Sequence, residues 1–489
     1  MKDFDFSAPE VLETLRDWKR IRYIGSAISD FQAQPLMPEK WGIPSISSDW
    51  EFELHKRITG KHSGILANPS AIEDMPNFHT HMEEYTARSK ELGENMFRFS
   101  LDFGRLCPSE GEFNSELMAR YVRMLALVRA NGQEPMLTLY HWPMPMFLLQ
   151  YDRNEERIEA GGWEHPDVVK HFRFYIDNIV KYLADEDKVR MVLESEKFTK
   201  DVQDQFLADD LVKYFLTINE PTNIVIDGYV AGVFPPFKRG KFSLMWKAVE
   251  KLVEAHDVAY DALKGGIILP TGDVQVGVAH NWTHFDGMLG DVIQSSINEK
   301  ITDAFERDGN RTDFVGFQYY CRVTVPSLYQ PFGKFRPKGR YYGSHPGHGD
   351  VYPEGLYKSL KRLHEMYPRK DIFITEFGFP EGTDKKRPYW ILETFRYVLQ
   401  AKKEDVPIKG MLLWSLVDNF EWERGMEQKF GLFSEEELIR SLTPSLEGKI
   451  RSFEVWPVIT KVITDPSPQS LNELQLCYRK AQMQFEVNI

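Results

Sequence analysis

The stretch Asp371-Ile-Phe-Ile-Thr-Glu-Phe-Gly378 decides how the rest of the chain is read. Ile372, Phe373, Ile374 and Thr375 favour a strand, and the run suits one buried on both faces. Such a strand has no use for a charge in its middle. Its carboxyl end differs, because the C-terminal ends of the strands are where an α/β barrel carries its chemistry. Glu376 stands at that end and Gly378 follows two places later. The plain alternative is a carboxylate that simply meets solvent at a strand end. A second carboxylate at a matching place in the chain would set that alternative aside.

Outward from this stretch, apolar runs recur at Arg22–Ile28, Met96–Leu101, Pro135–Tyr140, Tyr214–Ile218, Val274–Ala279, Phe314–Tyr319 and Gly410–Leu416. Helical patterns separate them. They cover His79–Leu92, a segment capped by Asn114 and closed by Gly132, Pro166–Leu183, Leu244–Leu263, Asp291–Phe305, Gly355–Met366, Pro388–Ala401 and Val455–Ile463. Eight strands, each followed by a helix, imply parallel pairing with right-handed crossovers. The expected fold is α/β, a single (β/α)8 TIM barrel spanning residues 1–489 as one catalytic domain. An open doubly wound sheet in two domains is the alternative. Three insertions interrupt the alternation: Gln34–Asn77, Ala184–Asp210 and Arg322–Asp350. The first and third leave strand C-terminal ends and are expected to wall the mouth and build the leaving-group subsite. The second precedes a strand and is charged, which places it on the opposite face as a solvated helical excursion. In the tail, 465–489, a helix over Leu471–Phe485 is expected, against either the barrel or a partner.

Composition narrows the function classes. Hydrophobic residues make up 42% of the chain, ample for a large core, and a net charge of −13 argues against a nucleic-acid surface. The short basic cluster from Lys334 to Arg340 reads as a solvated loop. Cys107, Cys321 and Cys477 lie far apart, with no CxxC or Cys/His spacing, so neither a disulfide framework nor a metal site is expected. No glycine-rich phosphate loop follows a strand, so no cofactor is expected. The amino terminus has no apolar signal segment and no run is long enough to span a membrane. A cytoplasmic protein is the expectation, the sequons at Asn281 and Asn310 carry little weight, and a homo-oligomer is left open.

The matching carboxylate is in Phe215-Leu-Thr-Ile-Asn-Glu-Pro221, where another buried strand ends on Glu220 and Pro221 stops the ladder. Glu220 and Glu376 therefore occupy corresponding ends of the fourth and seventh strands, which converge on one pit in a barrel. Two carboxyls across a pit can divide the work of glycoside cleavage: one gives a proton to the leaving oxygen, and the other attacks or activates water. Coincidence together with helix capping is the competing account.

The ordered set of strand-end motifs resembles glycoside hydrolase family 1, the retaining β-glycosidases. The set comprises Asn219-Glu220-Pro221, Thr375-Glu376-Phe377-Gly378, Phe31-Gln32, and Phe97-Arg98-Phe99-Ser100 with Arg105 and Pro108 following. Tyr140-His141-Trp142-Pro143, Phe317-Gln318-Tyr319-Tyr320, the run from Trp414 to Trp422, and Lys429-Phe430-Gly431 complete it. The likeness runs from about residue 22 to about residue 465. It implies that Glu376 is the nucleophile and Glu220 the acid/base, with Arg98 and Tyr320 beside Glu376. It implies that Gln32, His141, Asn219, Glu421 and Trp422 hold sugar hydroxyls while Trp414 stacks on the ring. Substrate contact extends by the same likeness to Trp142, Gln318 and Phe430. Singly, each has a structural alternative: a buried ion pair for Arg98, a core histidine for His141, barrel core for Trp414.

The chain departs from the family pattern at Gln318, where asparagine is usual, at Phe103 in place of a common tryptophan, and at Gln34 in place of glutamate. Phe234-Pro-Pro236, Tyr352-Pro-Glu-Gly-Leu-Tyr357 and Arg387-Pro-Tyr389 resemble the archaeal β-glycosidases and the plant galactolipid-remodelling branch. That branch transfers galactose between lipids, so transglycosylation and a lipid-linked substrate stay open. Glu421 argues for unphosphorylated sugars of gluco or galacto configuration, since a carboxylate there repels a phosphate. The other classes weighed are a non-catalytic sugar-binding barrel, which loss of either glutamate would favour, and an unrelated cofactor-dependent barrel.

Overall fold

A computed structural model describes residues 4–16, 23–35, 46–58, 75–152, 157–208, 211–267, 272–287, 289–307, 311–324, 344–345, 349–440 and 450–487. The eight expected strands are β1 (Tyr23–Ala27), β2 (Met96–Ser100), β3 (Glu134–Tyr140), β4 (Tyr214–Asn219), β5 (Gln275–Asn281), β6 (Phe314–Tyr319), β7 (Asp371–Phe377) and β8 (Ile408–Trp414). They pair in parallel, in chain order, and β8 closes on β1 to form a barrel. Short apolar runs, rather than alternating ones, are what such strands require, because the interior lies on one side and the helices on the other.

The principal helices are α1 (Met82–Glu91), α2 (Ser115–Ala130), α3 (Val168–Leu183), α4 (Phe242–Gly266), α5 (Lys300–Glu306), α6 (Pro353–Met366), α7 (Arg387–Lys403), α8 (Ser452–Thr464) and α9 (Pro468–Val487). Asn114 caps α2 as its sequence predicts, accepting from the Leu117 amide at 2.9 Å. The predicted helix Asp291–Phe305 contains a π turn over Ser295–Glu299 just before α5.

The barrel is packed inside, not hollow. Met96, Met136, Leu216, Phe314, Phe373 and Leu412 form an interior core. At the N-terminal ends of the strands Tyr23, Tyr214, Phe314 and Phe373 pack ring against ring, with Tyr214–Phe373 centroids 5.3 Å apart. Those rings close the bottom. The larger apolar shell lies between strands and helices.

The tail helix α9 packs on the barrel's helical shell. It buries Leu471, Leu474, Tyr478, Ala481 and Phe485 at helical spacing. Tyr478 donates to Glu393 on α7 at 2.7 Å, and Gln475 accepts from the Phe6 amide at 2.6 Å.

The second insertion forms helices Glu186–Ser195 and Lys200–Ala208. Val202 and Phe206 sit beside Tyr23 and Asn95, on the face predicted for them. The first insertion contributes a helix, Asp49–Ile58, whose Trp50 packs on Trp422 and Phe234. In the third, Arg322–Thr324, Ser344–His345 and Gly349–Asp350 join His284–Asp286 in a four-stranded sheet. The basic cluster Lys334–Arg340 and the sequon at Asn310 fall outside the described residues. No helix among the described residues is long and apolar enough to cross a membrane.

Candidate active site

Both glutamates leave strands whose register breaks just before them. The β7 ladder shifts between Ile374 and Glu376, and the β4 ladder shifts between Leu216 and Asn219. Such irregularities re-aim a side chain at a barrel rim. Gly378 then lets the chain pass under β8. A Cβ there would lie 2.5 Å from the Trp414 carbonyl oxygen and 2.9 Å from the Phe430 ring. Glu220 is turned differently. Its φ of 47° is left-handed, an uncommon conformation for a residue with a Cβ, and Pro221 starts a short helix, Pro221–Ile226, directly after it.

The two carboxyls have unequal neighbours. One Glu376 oxygen accepts from Arg98 and from Gln318 Nε2, the latter at 2.6 Å, and the other accepts from the Tyr320 hydroxyl. Arg98 also donates to Thr138 Oγ1 at 2.9 Å, to the Thr375 carbonyl at 3.1 Å and to Asn219 Oδ1 at 2.7 Å. Burial pushes the Glu376 carboxyl up, while Arg98, Tyr320 and Gln318 pull it back down. Burial pushes the Glu220 carboxyl well above the usual range, and the negative charges of Glu376, Glu421 and Asp227 add to the push. Between two coupled acids, the one with the donors ionises first. Both carboxyls are raised, and the donors around Glu376 favour it as the first of the two to ionise.

Around them stands a wall of amides and indoles. Asn219 Nδ2 meets His141 Nε2 at 3.1 Å, and because Asn219 Oδ1 already accepts from Arg98 and Gln318, the amide must donate to His141. That assigns the proton of the imidazole to Nδ1, which is buried without a protein partner. Burial and Arg98 hold His141 well below its usual pKa, so the ring is neutral. It stacks on Trp414 and Trp422, with centroids 5.9 and 6.0 Å away. Gln32 Nε2 donates to Asn419 Oδ1 and Glu421 Oε2, each at 3.1 Å, and its carbonyl oxygen is left without a partner. Burial and Glu423 push Glu421 up to about 8, against hydrogen bonds from Gln32 and Trp414. Trp142, also left-handed at φ 87°, donates through Nε1 to the Asn219 carbonyl at 3.0 Å.

These groups surround a cavity of about 410 Å³ at the C-terminal face of the barrel. Convergent acids, neutral amides and indole faces in one concave site are what recognition and cleavage of a hydroxylated ring need.

The family model for Glycosyl hydrolase family 1 matches residues 59–206 and 291–443, more than half of the chain. The chain belongs to glycosyl hydrolase family 1. It is a glycoside hydrolase of the β-glycosidase type. The matched residues include Glu376, and Glu220 lies between the two matched segments.

Among relatives, the galactolipid galactosyltransferase of Arabidopsis thaliana chloroplasts is 29% identical over 76% of this chain, and the alignment spans 56% of that protein. The β-galactosidase of Saccharolobus solfataricus is 28% identical over 83% of this chain and 88% of its own length. The β-glucosidase of Pyrococcus furiosus has the same fold, with a TM-score of 0.71 at 22% identity, covering 96% of this chain and 98% of that one.

Of the residues singled out in the sequence of this family 1 member, Gln32, His141, Trp142, Asn219, Glu220, Tyr320, Glu376, Trp414, Glu421 and Trp422 line the cavity. Arg98, Gln318 and Phe430 are gathered at the same place but lie behind its wall. Arg98 and Gln318 act through Glu376 and Asn219, and Phe430 packs edge-on beneath Tyr320 at 5.8 Å. Gln318, at the place where asparagine was expected, reaches the Glu376 carboxylate. Phe103 is core behind the barrel, against Tyr175 at 4.6 Å, and Gln34 accepts from the His79 amide at 3.1 Å. The cavity also has lining residues that the sequence reading did not name. Thr222, Asn223, Ile226 and Asp227, on the short helix after β4, and Asn281, at the end of β5, supply much of its lining. The described third insertion adds Val323 and Gly349. The signal for the outer residues was their spacing after Glu220, which brings one face of that helix to the pit.

Proposed function

We propose that the chain is a retaining exo-β-glycosidase, releasing terminal non-reducing β-D-glucosyl or β-D-galactosyl residues by double displacement. The unequal surroundings of the two glutamates carry this reading. Glu376, ionised by Arg98, Gln318 and Tyr320, attacks the anomeric carbon while Glu220 gives its proton to the glycosidic oxygen, and the leaving alcohol departs. Glu220, now ionised, takes a proton from water as that water attacks the same carbon, and Glu376 is released. The packed interior of the barrel beneath the cavity, with Trp414 in its lining, supports exo action.

Glu421 supports an unphosphorylated sugar: its buried carboxyl, bonded to Gln32 and beside the charge of Glu423, is a poor neighbour for a phosphate dianion. The likeness to the Arabidopsis galactosyltransferase favours a second reading, in which the glycosyl–Glu376 ester passes to a sugar or lipid hydroxyl instead of water.

Incubation with activated 2-deoxy-2-fluoro glucosides and galactosides tests the mechanism. The expected result is a trapped ester that maps to Glu376 by peptide mass. Labelling elsewhere, or no labelling of active enzyme, removes it. Product analysis with added acceptors separates hydrolysis from transfer, and the faster-trapped sugar identifies the preferred configuration.

A further inference from the structure

Gln32 reaches the cavity from a single helical turn, Asp30–Ala33, soon after β1. Four residues are too few to hold a helix by themselves, and Ser29 at its start supplies no side-chain cap. The turn is held from outside. Arg105, on a second short turn after β2 (Phe103–Leu106), spans it from end to end. Arg105 Nη1 donates to Asp30 Oδ2 at 2.9 Å, and Nη2 donates to the carbonyls of Gln34 at 2.8 Å and Pro35 at 3.2 Å. Its Nε donates to Glu51 Oε1 at 2.7 Å, which ties the same guanidinium to the first insertion. The other Asp30 oxygen meets His79 Nε2 at 2.6 Å, and the His79 amide donates to Gln34 Oε1 at 3.1 Å. The side chains of Asp30, His79 and Arg105 have no exposed surface. Burial pushes the Asp30 carboxyl up, and His79 and Arg105 outweigh it, so it lies below its usual value. Burial also holds His79 below its own usual value. An ionised carboxylate only accepts, so the neutral His79 ring donates through Nε2.

We propose that Asp30, Arg105 and His79 form a clamp that aims Gln32 at the terminal sugar, which makes Asp30 and His79 positioning residues for substrate recognition. The inference rests on the β-glycosidase reading of the cavity, in which Gln32 holds a sugar hydroxyl. Gln32 Nε2 is taken by Asn419 and Glu421, and its side-chain oxygen is the acceptor left for a ligand. One acceptor selects one hydroxyl only if its direction is fixed, because a hydrogen bond weakens steeply as its angle closes. The residue before it, Phe31, stacks on Trp422 at 5.5 Å, so a shift of the turn would disturb two walls of the cavity together. A buried ion pair is a weak source of stability, since desolvation offsets its attraction. What this one supplies is geometry. Charge-assisted bonds at the start of the turn, and guanidinium bonds to the carbonyls at its end, leave it no freedom to slide. Without Asp30, Arg105 keeps Glu51 and releases the start of the turn.

The test measures kcat/KM for the p-nitrophenyl β-glycoside of the preferred sugar and for its 2-, 3-, 4- and 6-deoxy analogues. Each parent-to-deoxy ratio reports on one hydroxyl, and Gln32→Ala identifies the one that Gln32 holds as the ratio it collapses. The expected result is that Asp30→Ala and His79→Ala lower that ratio by about fivefold or more and leave the others within about twofold. His79→Gln, which keeps an N–H near the place of Nε2, should recover most of the loss. In the Gln32→Ala background, either clamp substitution should cost little further kcat/KM, since both act on one contact. A uniform loss on all the substrates, or a fully additive loss in the double variant, would mean that the clamp only stabilises the fold and overturns the proposal. Should Asp30→Ala fail to fold, His79→Ala and His79→Gln decide by the same ratio. The two readings fail distinguishably. If Gln32→Ala moves no ratio, Gln32 holds no hydroxyl, and that reading of the cavity falls together with the clamp. If Gln32→Ala collapses one ratio and the clamp variants leave it unchanged, only the clamp is overturned.

Discussion

At the inner end of the cavity, Arg98, Gln318, Asn219 and Tyr320 hold the Glu376 carboxylate in a hydrogen-bonded frame complete before any ligand arrives. At the outer end, Thr222 has a buried hydroxyl with no partner, and Asp227 faces the same space as Ile226 and Phe285. The inner frame is assembled from the ends of β2, β4, β6 and β7, which the barrel brings together whatever the loops do. The outer half hangs on a short helix and its π turn. Charge development demands preorganised donors, because reorienting them during reaction would cost much of their effect. The outer half shows no comparable frame of donors among the described residues.

Breaking the inner frame should produce the largest effects. Glu376→Ala removes the nucleophile, and kcat should fall by about 10⁴-fold or more, with fluoro-sugar labelling abolished. Glu220→Ala should cost about 10²- to 10⁴-fold on poor leaving groups, far less on activated ones, with added azide restoring turnover and giving a β-glycosyl azide. Unchanged activity on poor leaving groups would take the acid/base role from Glu220. Arg98→Lys should lower kcat/KM by about 10- to 100-fold, because a point charge cannot reproduce four directed hydrogen bonds. Its pH profile carries the sign. Arg98 lowers the Glu376 pKa, so weakening it raises that pKa, and the acid limb of kcat/KM should move to higher pH. An acid limb that stays put would mean that Arg98 only packs.

The smallest predicted effect lies outside the cavity and serves as a control on it. Glu94 is buried beneath Trp456, accepting from Trp456 Nε1 at 2.7 Å, Ser26 Oγ at 2.8 Å and the Ser89 hydroxyl. Burial raises its carboxyl from 4.5 to about 7. The folded state therefore binds more protons than the unfolded chain between those values. The contribution is complete below 4.5 and is lost as pH rises through about 7. Melting measured from pH 5 to 8 should show stability falling by on the order of 2 kcal/mol from this group, and Glu94→Gln should flatten that slope without moving the acid limb of catalysis. A slope unchanged in Glu94→Gln would assign it to another group.

Much of this was legible along the chain. The strands were readable because a strand buried on both faces must be a short apolar run, and the helices because one face repeats at about 3.6 residues. Observed strand ends differ from the predicted ones by no more than two residues. The position of the tail was not legible, since Leu471–Phe485 shows an apolar stripe whether it meets the barrel or a partner. Nor was the reach of Gln318: one extra methylene changes a side chain's span, and only the register of β6 against β7, with Gln318 opposite Glu376, shows that it still arrives.

The amino-acid sequence by itself determined that eight βα units follow one another, that acids end the fourth and seventh strands, and that amides, a histidine and tryptophans accompany them. Those are local facts of pattern and residue type. Only the tertiary structure showed what distinguishes the surroundings of the two acids. That depends on Arg98 from β2, Gln318 from β6 and Tyr320 just beyond it reaching Glu376 and not Glu220. It also decided that Phe430 sits behind the wall, and that the helix after β4 helps line the cavity. Electrostatic environment and wall position are set by atoms distant in the chain, and closing the barrel is what brings those atoms within reach of one another.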